Sequence, residues 1–250
     1  MSDMQKDWSN WDKYDEIIHE GIMDYITDEY SDDIPEELQM ILITGDLVDT
    51  GSNYTHWTDH FFSPSAPLFA HVPLYPVLGN HEANTNYYFK YFNLPENGSV
   101  GYEEHWWFTD NSNVRVIGLD SNWDFQLDVQ LEWLEIVLND ACYRDNIDFV
   151  FAQLHHPYKS ELWLPGETDY TGEVISRMEA FTGECGKPSI HFFGHTHGYS
   201  RGQSRDHEHL WVNVATAGGN IDYWGEYAQA DYPEFTVSQD EWGFVMVEIE

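Results

Sequence analysis

Five apolar runs in this chain of 250 residues end in the same way. "QMILITGD", "HVPLYPVLGNHE", "NVRVIGLDSN", "IDFVFAQLHHP" and "PSIHFFGHTH" are each short enough for a buried strand, and each stops on a cluster of Asp, Asn or His. Such runs fit strands covered on both faces. Helical spacing appears between them. Tyr14, Ile17, Ile18, Ile22 and Tyr25 mark a helix within residues 11 to 30, Leu127, Leu131, Leu134 and Leu138 mark another of three turns, and a third lies around 171 to 182. This alternation predicts a layered α/β architecture with its polar clusters at the C-terminal ends of strands, where such sheets bind ligands. No repeat, low-complexity tract or linker interrupts it, so a single domain over 1–250 is expected.

Charge narrows the function. Ten Lys and Arg against 45 Asp and Glu give a formal net charge of −35. That opposes the phosphate backbone a nucleic-acid protein must neutralise, and it disfavours docking on anionic membranes. No apolar run approaches the roughly 20 residues of a spanning helix. The acidity fits a high-salt habitat or an exported protein, extracellular or periplasmic. Cys142 and Cys185 are the only cysteines, which excludes a disulfide-rich scaffold and a Cys-type zinc site. Each follows an amphipathic helix and precedes a strand, so the pair is either bridged or two free thiols. The chain opens on the loop-like "SDMQ" and closes inside the alternating strand pattern "WGFVMVEIE", as expected of a piece of a longer protein with accessory domains outside this chain.

Collected together, the strand ends hold Asp3 and Gln5, Asp46 and Asp49, Asn80, His81 and Glu82, His155 and His156, and His195 and His197. Carboxylates, amides and imidazoles without thiolate suit Zn, Mn, Fe or Co. One cation cannot use them all. Two cations about 3.5–4 Å apart, sharing a carboxylate, use most of the set and activate water for in-line displacement at phosphorus. His195 and His197, two apart on an extended segment, share a face, and each reaches a different metal.

These motifs, in this order from residue 3 to residue 197, resemble those of the calcineurin-like metallophosphoesterases. "GNHE", "GHTHGYSR" and the "GGN" at 218–220 look most like the purple acid phosphatase branch. The resemblance implies an α/β/β/α sandwich and two divalent or trivalent ions, Fe, Zn or Mn. It makes Asp46 the bridge, with Asp3 and His197 completing the first site and Asn80, His155 and His195 the second. His155 is preferred to His156 because it stands one residue away from the proline. His81 falls beside the metals, placed to protonate a leaving group. The implied activity is hydrolysis of small phosphate esters, monoesters first. Diesters (cyclic nucleotides or glycerophosphodiesters) and a non-catalytic binding module are the alternatives.

Two positions depart from the family. Gln5 stands where the family has His, so the first site should bind more weakly. Asp49 stands where the purple branch has a metal-binding Tyr, so no purple colour is expected, and Asp49 reads as a turn residue or a support for the ligands. His156 either touches a bound phosphate or caps its loop. Tyr199 and Arg201 contact substrate or are solvated, and His191 is packed inside its strand. "HWWF" and "ELWLPGE" are expected in the core or walling a pocket.

Overall fold

The computed structural model describes residues 1–6 and 9–249. Strands β1 (Ile41–Ile43) and β2 (Leu74–Pro76) form a parallel pair. A second sheet holds β3 (Trp107–Asn111), β4 (Val114–Gly118), β5 (Phe149–Gln153), β6 (Ser189–Phe193), β7 (Tyr199–Gln203), β8 (His209–Val214) and β9 (Phe235–Gln239). Its order is β3-β4-β5-β6-β8-β7-β9. Strands β4, β5, β6 and β8 run parallel, while β3, β7 and β9 are antiparallel to their neighbours. Helices α1 (residues 13–29), α2 (residues 56–69), α3 (Asn86–Tyr91), α4 (Asp128–Tyr143) and α5 (Asp169–Cys185) carry the connections.

Strand alternation explains the layers. Val150 and Ala152 of β5 turn one way, packing with Leu131, Leu134 and Leu138 of α4 and Val174 and Met178 of α5. Phe151 turns the other way, toward Leu42 of β1 and the side chains of Ile190 and Phe192. Behind β1 and β2 lie Ile18 and Ile22 of α1 and Trp57 and Phe61 of α2. The sequence of layers is therefore helix, small sheet, large sheet, helix.

The helices depart from expectation in ways that have local causes. Tyr25, expected on the apolar face of α1, is 39% exposed, and Ile26 is buried instead. The middle of α1, Ile17–Met23, is π-helical. Four residues overshoot a 3.6-residue turn, but a wider turn absorbs the excess, so Tyr14, Ile18, Ile22 and Ile26 form one buried stripe. Helix α4 begins at Asp128, so Leu127 precedes it as an extended residue. Helix α5 gains a turn beyond the predicted limits because Thr168 accepts a hydrogen bond from the Tyr170 amide at its start and Gly186, at φ 70°, ends it. Cys142 and Cys185, at the ends of α4 and α5, are joined in a disulfide with Cα atoms 5.5 Å apart. The strand pattern at the chain's end is not realised. Residues 242–249 form no ladder; this stretch is held where Gly243 donates to the Thr216 carbonyl and accepts from its hydroxyl.

Candidate metal centre

The polar clusters converge at the C-terminal ends of β1, β5 and β6. Asp3 reaches them through backbone pairing on both sides: its amide bonds the Gly45 carbonyl at 3.3 Å, and its own carbonyl accepts from Gly219 at 2.6 Å. Asp3, Asp46 and His195 have φ of 59°, 50° and 71°, in the left-handed region that non-glycine residues seldom adopt. Three such residues meeting at one site mark it as a place where tertiary structure imposes the backbone. The glycines before the clusters have a steric reason. A Cβ on Gly79 would lie 2.2 Å from Asp46 Oδ1, and one on Gly194 would lie 2.4 Å from Asp3 Oδ2.

Two groups of donors result. Asp3, Asp46 and His197 form one, and His155, His156 and His195 the other, with the ligating atoms of each group all within 4.8 Å of one another. In the first, His197 Nε2 is 3.1 Å from Asp3 Oδ1. Asp46 faces both groups, because its Oδ2 is also 3.2 Å from His155 Nε2. Asn80 Oδ1 lies 2.9 Å from the same His155 nitrogen. Gln5 Nε2 stands 3.4 Å from Asp46 Oδ2 and 3.3 Å from His197 Nε2, while Gln5 Oε1 is buried with no partner. His81 stands at the edge, its Nε2 3.8 Å from Asp46 Oδ2.

Hydrogen bonds on the far side of each ring set what it presents to the centre. His155 Nδ1 donates to the Thr44 carbonyl at 2.8 Å, His197 Nδ1 to the Asn220 carbonyl, and His81 Nδ1 to the Asp49 carbonyl at 2.6 Å. All three turn Nε2 inward. His156 is different. Ser121 Oγ accepts from the amides of His155 and His156 at 3.1 and 2.9 Å, so its one proton goes to His156 Nδ1, 3.0 Å away. His156 Nε2 then carries the proton and is a donor.

The charges of the two groups diverge. Burial would raise the Asp46 carboxyl, but His155 and His81 outweigh it and hold Asp46 well below the usual carboxylate range. Burial likewise opposes protonation of His155, yet Asp46 and then Asp3 raise it to about 9. His197 reaches about 9 against the same opposition, through Asp3 and Asp222. His156 and His195, buried beside His155, fall to about 3 and about 2.

Three supports escape motif reading. Glu82, quoted in "GNHE" without a role, accepts the amides of Asp46 (2.9 Å), Leu47 (2.9 Å), Val48 (3.2 Å) and Gly79 (2.8 Å), tying two strand ends together. Burial and Asp46 push its carboxyl up to about 7 against the pull of those donors. Ser121 sits in the quoted strand end "LDSN", a usable signal, whereas Asp222, which accepts the His197 amide at 2.7 Å, carries none.

Other candidates lie apart. The Asp49 side chain bonds the Thr50 hydroxyl at 3.1 Å, and only its carbonyl serves His81. Tyr199 and Arg201 are not brought to the centre, because β7 alternation places them on the face of Leu210 and Val212, lining a separate surface depression. His191 is buried in β6, its Nδ1 2.9 Å from His209 Nε2.

Inward-facing imidazoles, two buried carboxylates and an orphaned amide oxygen fit cations. Three solved structures share the fold. The GAP50 anchor of the inner membrane complex of Plasmodium superposes with a TM-score of 0.64 at 13% identity, covering 98% of this chain and 78% of that one. The purple acid phosphatase PPD1 of yellow lupin (Lupinus luteus) seeds gives 0.63 at 15%, covering 89% and 43%. PhoD gives 0.62 at 10%, covering 97% and 61%. The chain thus spans less than two thirds of the length of the latter two. No curated protein sequence matches it. The family model for calcineurin-like phosphoesterases matches residues 1–199, and the chain belongs to that family.

Proposed function

We propose that the chain hydrolyses phosphate monoesters at a pair of metal ions, Fe, Zn or Mn, bridged by Asp46. The observation that carries this is the position of Asp46, with one carboxylate facing both donor groups. Asp3 and His197 would hold one ion, with Gln5 beside it, and Asn80, His155 and His195 the other. Bound there, the ions would supply Lewis-acid activation of water and neutralise charge at phosphorus. The protein's own residues do the rest. His156 Nε2–H is a donor beside the second group and suits a non-bridging phosphate oxygen. A monoester has one more such oxygen than a diester, which favours the monoester. His81, with Nδ1–H committed to the Asp49 carbonyl, would in its doubly protonated form carry a second proton on Nε2 and give it to the departing alkoxide, reverting to the neutral ring. The Cys142–Cys185 bond supports export to an oxidising compartment.

A second reading, a binding module without catalysis, is favoured by Gln5, whose amide is a poorer ligand than imidazole. Elemental analysis of purified protein, combined with a panel of mono- and diesters, tests both. Two metal equivalents with monoester turnover are expected. One equivalent or none, with no turnover, would leave the binding module.

A further inference from the structure

"ELWLPGE" contributes a wall to the metal centre. Trp163 lies with its ring centroid 5.1 Å from that of His195. Tyr227 also meets Trp163, 5.9 Å away and tilted by 53°, so that the two rings are splayed rather than parallel. Tyr227 comes from a segment held against the centre. Asp222 bonds the His197 backbone in both directions, at 2.7 and 2.8 Å, and Leu164 donates to the Ala228 carbonyl at 3.1 Å. Within this segment Tyr223, Trp224 and Tyr227 are 49%, 47% and 44% exposed. Tyr227 is thus a large, partly exposed ring held against Trp163 at the edge of the centre.

The charge around them is of one sign. Residues 220–234 hold Asp222, Glu226, Asp231 and Glu234 and no Lys or Arg, and residues 160–169 hold Glu161, Glu167 and Asp169 and none either. Lys159, at their border, is paired with Glu234 at 2.8 Å. Such a wall repels the additional phosphates of a polyphosphate. Splayed aromatic faces in an acidic surround are the chemistry that holds an alkylammonium group, through cation–π attraction and long-range charge. A planar base would need a parallel face or slot, which rings at 53° do not form.

We infer that Trp163 and Tyr227 form a subsite for a cationic leaving group, and that the centre acts on esters of the phosphocholine type. This rests on the hydrolase reading above, but the subsite has its own readout.

The experiment compares phosphocholine with its neutral isostere 3,3-dimethylbutyl phosphate in metal-loaded protein, and separately measures choline binding by calorimetry at constant ionic strength. The wild type should favour phosphocholine roughly fivefold or more in kcat/KM, in keeping with two partly exposed cation–π faces. Trp163→Ala and Tyr227→Ala should bring that ratio to about 1–3 and weaken choline binding about fivefold or more, with Trp163→Phe recovering part of both. Tyr227 is exposed, so its variant should fold even if that of Trp163 does not. Turnover of both esters at equal rates would overturn the subsite and leave the hydrolase standing. Choline binding that depends on Trp163 and Tyr227, without turnover of any ester, would keep the subsite and remove the hydrolase. Absence of both would end both. A loss in Trp163→Ala confined to nucleoside monophosphates or p-nitrophenyl phosphate would replace the cation with a stacked planar group.

Discussion

At the crest of the sheets, Asp3, Asp46 and His195 hold left-handed backbone, and buried imidazoles stand beside buried carboxylates. Behind the large sheet, α4 and α5 are regular helices whose Leu131, Leu134, Val174 and Met178 fill an apolar layer closed by the Cys142–Cys185 bond. Arg115, buried against that layer, is compensated: it is held by Asp110 at 2.7 Å and Asp140 at 2.8 Å. The crest sets titratable groups against one another on left-handed backbone, and ordinary packing elsewhere holds that end in place. Damage to the two regions should therefore separate: one loses chemistry, the other loses stability.

The largest expected effect is at the crest. Asp46→Asn should lower kcat/KM for a monoester by about a thousandfold or more and reduce bound metal below two equivalents, as steady-state kinetics and elemental analysis would show. An enzyme that kept its rate would break the comparison. Next comes the helical layer. Opening the disulfide, by reduction or as Cys142→Ser/Cys185→Ser, frees a loop with a sequence separation of 43 residues. This should cost about 4 kcal/mol of stability in urea unfolding, with metal stoichiometry retained in the protein that remains folded.

Acidity sharpens the contrast inside the crest. His155 and His197 are raised from 6.5 to about 9, so in metal-free protein their stabilisation is full below pH 6.5 and is lost between pH 6.5 and 9. His156 and His195 are lowered to about 3 and about 2, so their contribution is full above pH 6.5 and is lost as the pH falls below it. Urea unfolding of chelated protein should therefore find these four groups most favourable near pH 6.5. Metal binding at pH 7.5 should release about two protons, from His155 and His197, in buffer-dependent calorimetry. Release of none would show that the carboxylates do not hold those protons. The smallest effect is at Gln5. Gln5→His should tighten the first metal by roughly tenfold or more, because imidazole is the better ligand. Unchanged affinity in a metal titration would place Gln5 outside the coordination shell.

The residues gathered at the crest, Asp3 and Gln5 apart, were legible because each lies at the end of an apolar run, a local pattern that strand geometry turns into proximity. The five runs and their order were enough to identify the family resemblance and to point to Asp3, Asp46, Asn80, His155, His195 and His197. His155 is preferred to its neighbour His156 from the family's spacing to the proline, but the physical difference between the two rings was not legible. One ring meets the Thr44 carbonyl and the other the Ser121 hydroxyl, partners 111 and 35 residues away. Arg201, read from its place beside "GHTH" as either a substrate contact or a solvated side chain, is turned to the opposite face by strand alternation. Tyr25 was misplaced because a π-helical turn shifts phase by one residue, and residue spacing alone does not reveal where that turn falls.

The sequence by itself determined five of the strands, three helices and the chemical kind of donor, since these follow from periodicity and composition within short windows. Only the tertiary structure decided the ring tautomers, the four-amide grip of Glu82, the disulfide and the aromatic wall of Trp163 and Tyr227. Each of these depends on an angle or distance between groups remote along the chain, and such geometry exists only once the layers have packed.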